Sequence, residues 1–169
     1  MADDFARYTV NLEVHFSVGT AITKSTVPVA TLAEKSEEAL SRAKSLEGKN
    51  ALSLYGNEIH WQHKPALQEA EDFLTNAAEH FGVTSSYLYR LFEILEMAGR
   101  KNSPEASMWR SRLYYSTARL FERQRQSQSR DRTQDRDRFM QTLLSYLEKN
   151  EATFRIPLTN VFYSIRETR

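Results

Sequence analysis

Two lysines stand at the ends of one short segment, Lys44-Ser45-Leu46-Glu47-Gly48-Lys49. The first falls in the last turn of a predicted helix and the second where a predicted strand begins. Two cations at such a corner could hold a triphosphate as point charges on its oxygens. Two solvated lysines, with Lys44 complementing the helix C-terminus, would look the same in sequence. A second cationic group is Arg112, Arg119 and Arg123, at spacings of seven and four, hence on one face of one predicted helix. That basic ridge could track a phosphate backbone or meet a neighbouring protein, or it could be an ordinary solvated face. His60-x-x-His63 is a weak metal pattern, because it lies on a predicted loop without regularly spaced acidic partners. No metal site and no catalytic residue are expected. There is no Ser-His-Asp arrangement, Gly-rich phosphate loop or paired carboxylates in a believable cleft, and no cysteine to supply a nucleophile, a thiolate ligand or a disulfide.

The elements that carry these residues follow from periodicity. Residues 1–8 read as the tail of a helix that begins upstream. Leu12, Val14, Phe16 and Val18 alternate with Glu13, His15 and Ser17, the period of a half-buried strand. Gly19 and Ala21 continue it with small residues, marking a close approach to the backbone. Val27-Pro28 opens a helix whose Leu32, Ser36, Ala39, Leu40 and Ala43 share a face, with Gly48 as its stop. Ala51 to Tyr55 reads as a second strand. A strand, a helix and a strand at this spacing imply a crossover onto a sheet. Two strands are too few to stand alone, so the remainder of that sheet is expected upstream or in another chain.

After Trp61 the period changes to that of helices. Leu67, Ala70, Phe73, Leu74, Ala77 and Phe81 form one stripe. Thr84 and Ser85 can cap a helix that is apolar around most of its girth and is therefore central. Trp109, Leu113, Thr117, Leu120 and Phe121 form the next inward face. Residues 123–138 contain no apolar residue and read as a loop or frayed helix end. Phe139, Leu143, Leu144 and Leu147 resume a helix, and Ile156-Pro157 starts the last one, with Leu158, Val161, Phe162 and Ile165. The fold class is α+β: a partial palm of β-α-β type over residues 1–60, then a bundle of about five helices over 61–169.

Charge is divided along the chain. Residues 1–99 hold 8 Lys and Arg against 14 Asp and Glu, whereas residues 100–169 hold 15 against 8. The basic half suits a polyanion or an acidic protein surface. No apolar run approaches the length of a membrane span and no signal pattern opens the chain; with the absence of cysteine, the expected location is the cytoplasm.

Phe16-Ser17-Val18-Gly19-Thr20-Ala21, then Leu32 through Lys44, then Gly48-Lys49-Asn50-Ala51-Leu52 resembles the closing third of the diguanylate-cyclase palm. Ser36 departs from that family's small-acidic pair, and the Lys44–Gly48 loop is about one residue longer. The longer loop and the aromatic His60-Trp61 are more similar to the palm of the large subunit of type III CRISPR effector complexes. Tyr87 to Met97, Met108 to Leu113, and the ending Ile156 to Tyr163 resemble the C-terminal helical domain of its Csm-type form, in the same order along nearly the whole chain. The resemblance implies a structural C-terminal module of that ribonucleoprotein in antiviral defence, with the other subunits, guide RNA and target RNA as partners and no membrane. The family's large subunit makes cyclic oligoadenylate from ATP and often cuts DNA. Its Gly-Gly-Asp-Asp and HD metal centres would lie upstream of these residues, so the chain alone is expected to bind no cofactor and to turn over no ATP. ATP and a divalent metal enter only with the missing palm half, next to Lys44 and Lys49. The alternatives are half of such a nucleotidyl cyclase site and an independently translated RNA-binding small subunit.

Overall fold

The computed structural model describes residues 2–9, 14–100, 104–123, 130–149 and 153–167. The chain divides into two compact units, Met1–Ala66 and Leu67–Arg169. The architecture is α+β, a small mixed sheet followed by helices.

The first unit contains α1 (Ala2–Thr9), β1 (Val18–Gly19), α2 (Val29–Ser45), β2 (Ala51–Leu54) and β3 (Asn57–His60). The sheet order is β1-β2-β3, with β1 parallel to β2 and β3 antiparallel to it. The parallel pair joined by α2 is the expected crossover. Its tightest point is Gly19: a Cβ there would overlap the backbone nitrogen of Leu40 and lie 2.6 Å from the carbonyl carbon of Ala39. Only glycine lets α2 settle so closely on the strand, which is why Ala39 and Ala43 are fully buried beneath it. Alanine on the helix and glycine on the strand are two halves of one contact.

Two expectations are corrected here. The strand read from Leu12 to Val18 pairs only at Val18–Gly19; Leu12 and Glu13 lie outside the described residues. The partner β2 begins at Ala51, so the residues before Val18 find side chains instead of a ladder. The indole Nε1–H of Trp61 donates to the carbonyl of Phe16 at 3.0 Å, and the Ala51 N–H donates to the Ser17 hydroxyl at 3.5 Å. The second correction is β3, which makes the sheet three-stranded. Tyr55 and Gly56 both have positive φ, 53° and 75°, the geometry of a two-residue hairpin turn whose twist matches the strands. The side-chain amide of Asn57 donates to the Tyr55 carbonyl at 3.1 Å and steadies that turn.

Helices make up the regular structure of the second unit's described residues: α3 (Lys64–His80), whose first turn still belongs to the first unit, then α4 (Ser85–Gly99), α5 (Trp109–Arg123), α6 (Arg130–Lys149) and α7 (Arg155–Glu167). Thr84 caps α4, its side chain accepting from the Tyr87 N–H at 3.3 Å. Leu88 and Leu91 are fully buried and α4 packs against both α5 and α7, the central place its apolar girth predicts. Phe139 is the aromatic hub, with ring centroids of Phe73, Phe121 and Phe81 at 5.2, 5.8 and 6.0 Å. Of residues 123–138, read as a loop or frayed helix end, those from Arg130 onward are instead the regular first turns of α6, and residues 124–129 lie outside the described residues. Arginine and glutamine are good helix formers, so the packed turns from Phe139 onward propagate backwards through polar sequence. Arg136 reinforces this by bonding Asp137 at 2.9 Å while lying over the Tyr114 ring.

Candidate functional site

The lysine pair sits at the corner its sequence predicts. Lys44 is exposed in the last turn of α2, and Lys49 is exposed in the turn that enters β2. Gly48, Lys49 and Asn50 carry consecutive positive φ values of 73°, 58° and 32°. The left-handed region is sterically unfavourable for a residue with a Cβ, so this backbone is held by its surroundings. The Lys49 N–H donates to the Leu46 carbonyl at 2.9 Å, and the Trp61 N–H donates to the Asn50 carbonyl at 3.2 Å. Neither lysine ammonium has a hydrogen-bond or ion-pair partner among the described residues. What the corner offers chemically is two free point charges on a fixed turn.

The arginine group has a different setting. Arg112 and Arg119 line a groove between α4 and α5, and the side chain of Arg123 lies outside the described residues. The two helices are fastened at the base of that groove by a hydrogen bond of 2.7 Å between the hydroxyls of Tyr87 and Thr117, both buried. Burial pushes the Tyr87 phenol well above its ordinary range, so it is a fixed neutral donor or acceptor. The groove has two contiguous hollows of about 360 and 120 Å³ that share Arg90 and Ser116. Ile94 and Met97 form the floor of the larger hollow, with Glu93 and Tyr115 also lining it.

Among the described residues the guanidinium of Arg112 donates only to the Met97 sulfur, at 3.5 Å, a weak acceptor. That of Arg119 donates to the Tyr115 hydroxyl at 3.3 Å and lies 5.8 Å from the centre of its ring. Arg90 has no hydrogen bond or ion pair among the described residues. Elsewhere on this unit arginines find carboxylates: Arg110 pairs with Glu148 at 2.9 Å, Arg136 with Asp137 at 2.9 Å, and Arg155 approaches Glu96 at 3.9 Å.

Arg90, Glu93 and Tyr115 are the residues that sequence reasoning missed. Their signal is present: Arg90-x-x-Glu93-x-x-x-Met97 and Arg112-x-x-Tyr115-x-x-x-Arg119 each follow the three-four helical spacing along one side face. His60 and His63 do come near each other, with ring centroids 6.1 Å apart and edge to face. Among the described residues no group of three or more His, Cys, Asp or Glu is placed to hold a metal ion. None of the described helices is long and apolar enough to cross a membrane. Comparison with protein families, with curated proteins and with solved structures finds no match to this chain.

Proposed function

We propose that this chain is the structural C-terminal module of a type III CRISPR-Cas large subunit, packing on small subunits near the guide RNA–target RNA duplex. The observation that carries the reading is the collinear series in which a parallel β1-α2-β2 crossover closes over Gly19, turns through Gly48-Lys49-Asn50 and gives way to five helices. This is the order in which the resembling motifs occur. A sheet whose edge strand pairs over only two residues also suits a palm completed by strands from elsewhere. The arginines Arg112, Arg119 and Arg123 are then where the module meets a neighbour.

A second reading has its own support, two lysines at a strained turn that have no partner among the described residues. In it the chain supplies half of a nucleotidyl cyclase site, with Lys44 and Lys49 on the phosphates of ATP once the upstream half brings the metal-binding carboxylates. Reconstitution separates the two. The chain is co-expressed with the upstream half of the large subunit and the remaining subunits, and assembly and oligoadenylate formation are measured. Failure of the chain to enter the ribonucleoprotein would refute the structural reading. Oligoadenylate synthesis that survives Lys44→Ala with Lys49→Ala would refute the phosphate role.

A further inference from the structure

We propose that the α4–α5 groove docks an amphipathic helix of a protein partner, acidic where it meets Arg90, Arg112 and Arg119 and apolar where it meets the floor. The groove runs along α4 from Thr84 to Met97. At 1.5 Å per residue that is about 20 Å, close to four turns of a helix lying alongside. Arg112 and Arg119 are seven residues apart on α5, a repeat of about 10 Å along the axis, which a near-parallel helix matches with carboxylates at its own seven-residue interval. Arg112 borders the larger hollow, floored by Ile94 and Met97, and Arg119 the smaller, lined by Tyr87 and Leu120. An apolar residue of the partner three or four positions from each acid would cover these hollows.

Charge complementarity names the sign of the partner. Three guanidiniums in one groove have no carboxylate partner among the described residues, whereas Arg110, Arg136 and Arg155 on the same unit each have one nearby. Two features favour a protein helix over a nucleic acid. Glu93 lies in the same groove without a cation partner among the described residues, and its carboxylate repels a phosphate backbone while leaving an acceptor for a partner's amide or lysine. The exposed ring of Tyr115 is approached by the Arg119 guanidinium, so its face is not a free stacking platform. Arginine, tyrosine and methionine around an apolar strip are the residues that protein interfaces favour.

The inference takes its biological setting from the subunit-packing reading above. Its test uses this chain alone, so the two fail independently. The probes are a synthetic helical peptide of about three heptads with Glu every seventh residue and Leu between, the same peptide with Lys for Glu, and a single-stranded uridine oligonucleotide of matching length. Binding to the whole chain is followed by fluorescence anisotropy, and circular dichroism checks each variant's fold. The Glu peptide should bind and the Lys peptide should not. Arg90→Gln, Arg112→Gln and Arg119→Gln should each weaken the Glu peptide by about threefold to fivefold, the scale of exposed charge pairs. Tyr115→Leu, which removes the hydroxyl and ring against which Arg119 rests, should weaken the Glu peptide by no more than Arg119→Gln does. Equal binding of both peptides, no binding of either, or indifference to the three arginine changes would overturn the proposal. So would tighter binding of the oligonucleotide that is lost in Tyr115→Leu.

Discussion

Removing one hydroxyl from the base of the α4–α5 groove should cost far more than removing two. Tyr87 and Thr117 are 4% and 0% exposed, and their hydroxyls share a hydrogen bond of 2.7 Å. Tyr87→Phe strips the buried Thr117 hydroxyl of that partner, at a cost of about 1–3 kcal/mol. Thr117→Val does the same to the phenol. The double variant removes both polar atoms with little change of shape, so it should lie close to the wild type, and the coupling between the sites should approach the sum of the two single costs, about 2–6 kcal/mol. Urea unfolding reads this directly: the midpoint should move while the slope stays constant. A second consequence concerns pH. Burial raises the Tyr87 phenol above the ordinary tyrosine value of 10.0. Below that value both folded and unfolded chains keep the proton and stability is unaffected. Above it the unfolded chain releases a proton that the folded one retains, so stability falls as pH rises from about 10 towards the folded pKa. Tyr87→Phe should remove this part of the alkaline loss. Additive single costs, or an alkaline slope identical in wild type and Tyr87→Phe, would refute the argument.

Gly19→Ala should destabilise the first unit by at least about 1–3 kcal/mol, because the added methyl meets the backbone of Leu40 and not a movable side chain. Amide exchange across β1 and β2 would show it, and protection equal to the wild type would contradict the close contact. Lys49→Gly should stabilise by up to about 1 kcal/mol, since φ of 58° is strained for lysine and ordinary for glycine. A lowered melting temperature would count against that. Phe139→Ala, at the centre of the aromatic hub and 2% exposed, should cost about 3–5 kcal/mol in urea unfolding of the second unit.

The fold is legible where one periodicity dominates. The stripe from Leu67 to Ala77, the Thr84 cap and the central character of α4 all follow from spacing, and so does the crossover from β1 to β2. The small residue Gly19 announces a close approach, and Leu40 is what approaches. The strand β3 escapes because its turn is Tyr55-Gly56 and not Asn-Gly: tyrosine gives no local sign that it will adopt positive φ. The full length of α6 escapes because its first turns have no apolar face, and only its packed continuation makes them helical. The groove is half legible. The ridge of Arg112 and Arg119 is a pattern within one helix, but Arg90 and Glu93 join it only when α4 lies alongside α5, and that pairing is set by packing.

The two sets of cations without a carboxylate partner among the described residues also differ in what orders them, and this bears on which can act unaided. Arg90, Arg112 and Arg119 stand on helices pinned by a buried hydrogen bond, and Arg112 and Arg119 each lean on a neighbouring side chain. Part of the entropy of fixing those two guanidiniums is therefore already spent, and a partner helix meets a surface that needs little rearrangement. Lys44 and Lys49 have a fixed backbone turn but free ammonium groups on flexible stems, exposed to water and to salt. Holding a triphosphate there means ordering two long side chains in high dielectric, where each charge contributes little. A triphosphate site at the lysine corner, as the second reading proposes, thus needs further groups around it to exclude water and orient both side chains. The arginine groove needs only its ligand. Binding at the groove should accordingly be measurable with this chain by itself, and triphosphate binding at Lys44 and Lys49 only in the reconstituted assembly. Tight binding of ATP to the isolated chain that Lys44→Ala abolishes would reverse that order.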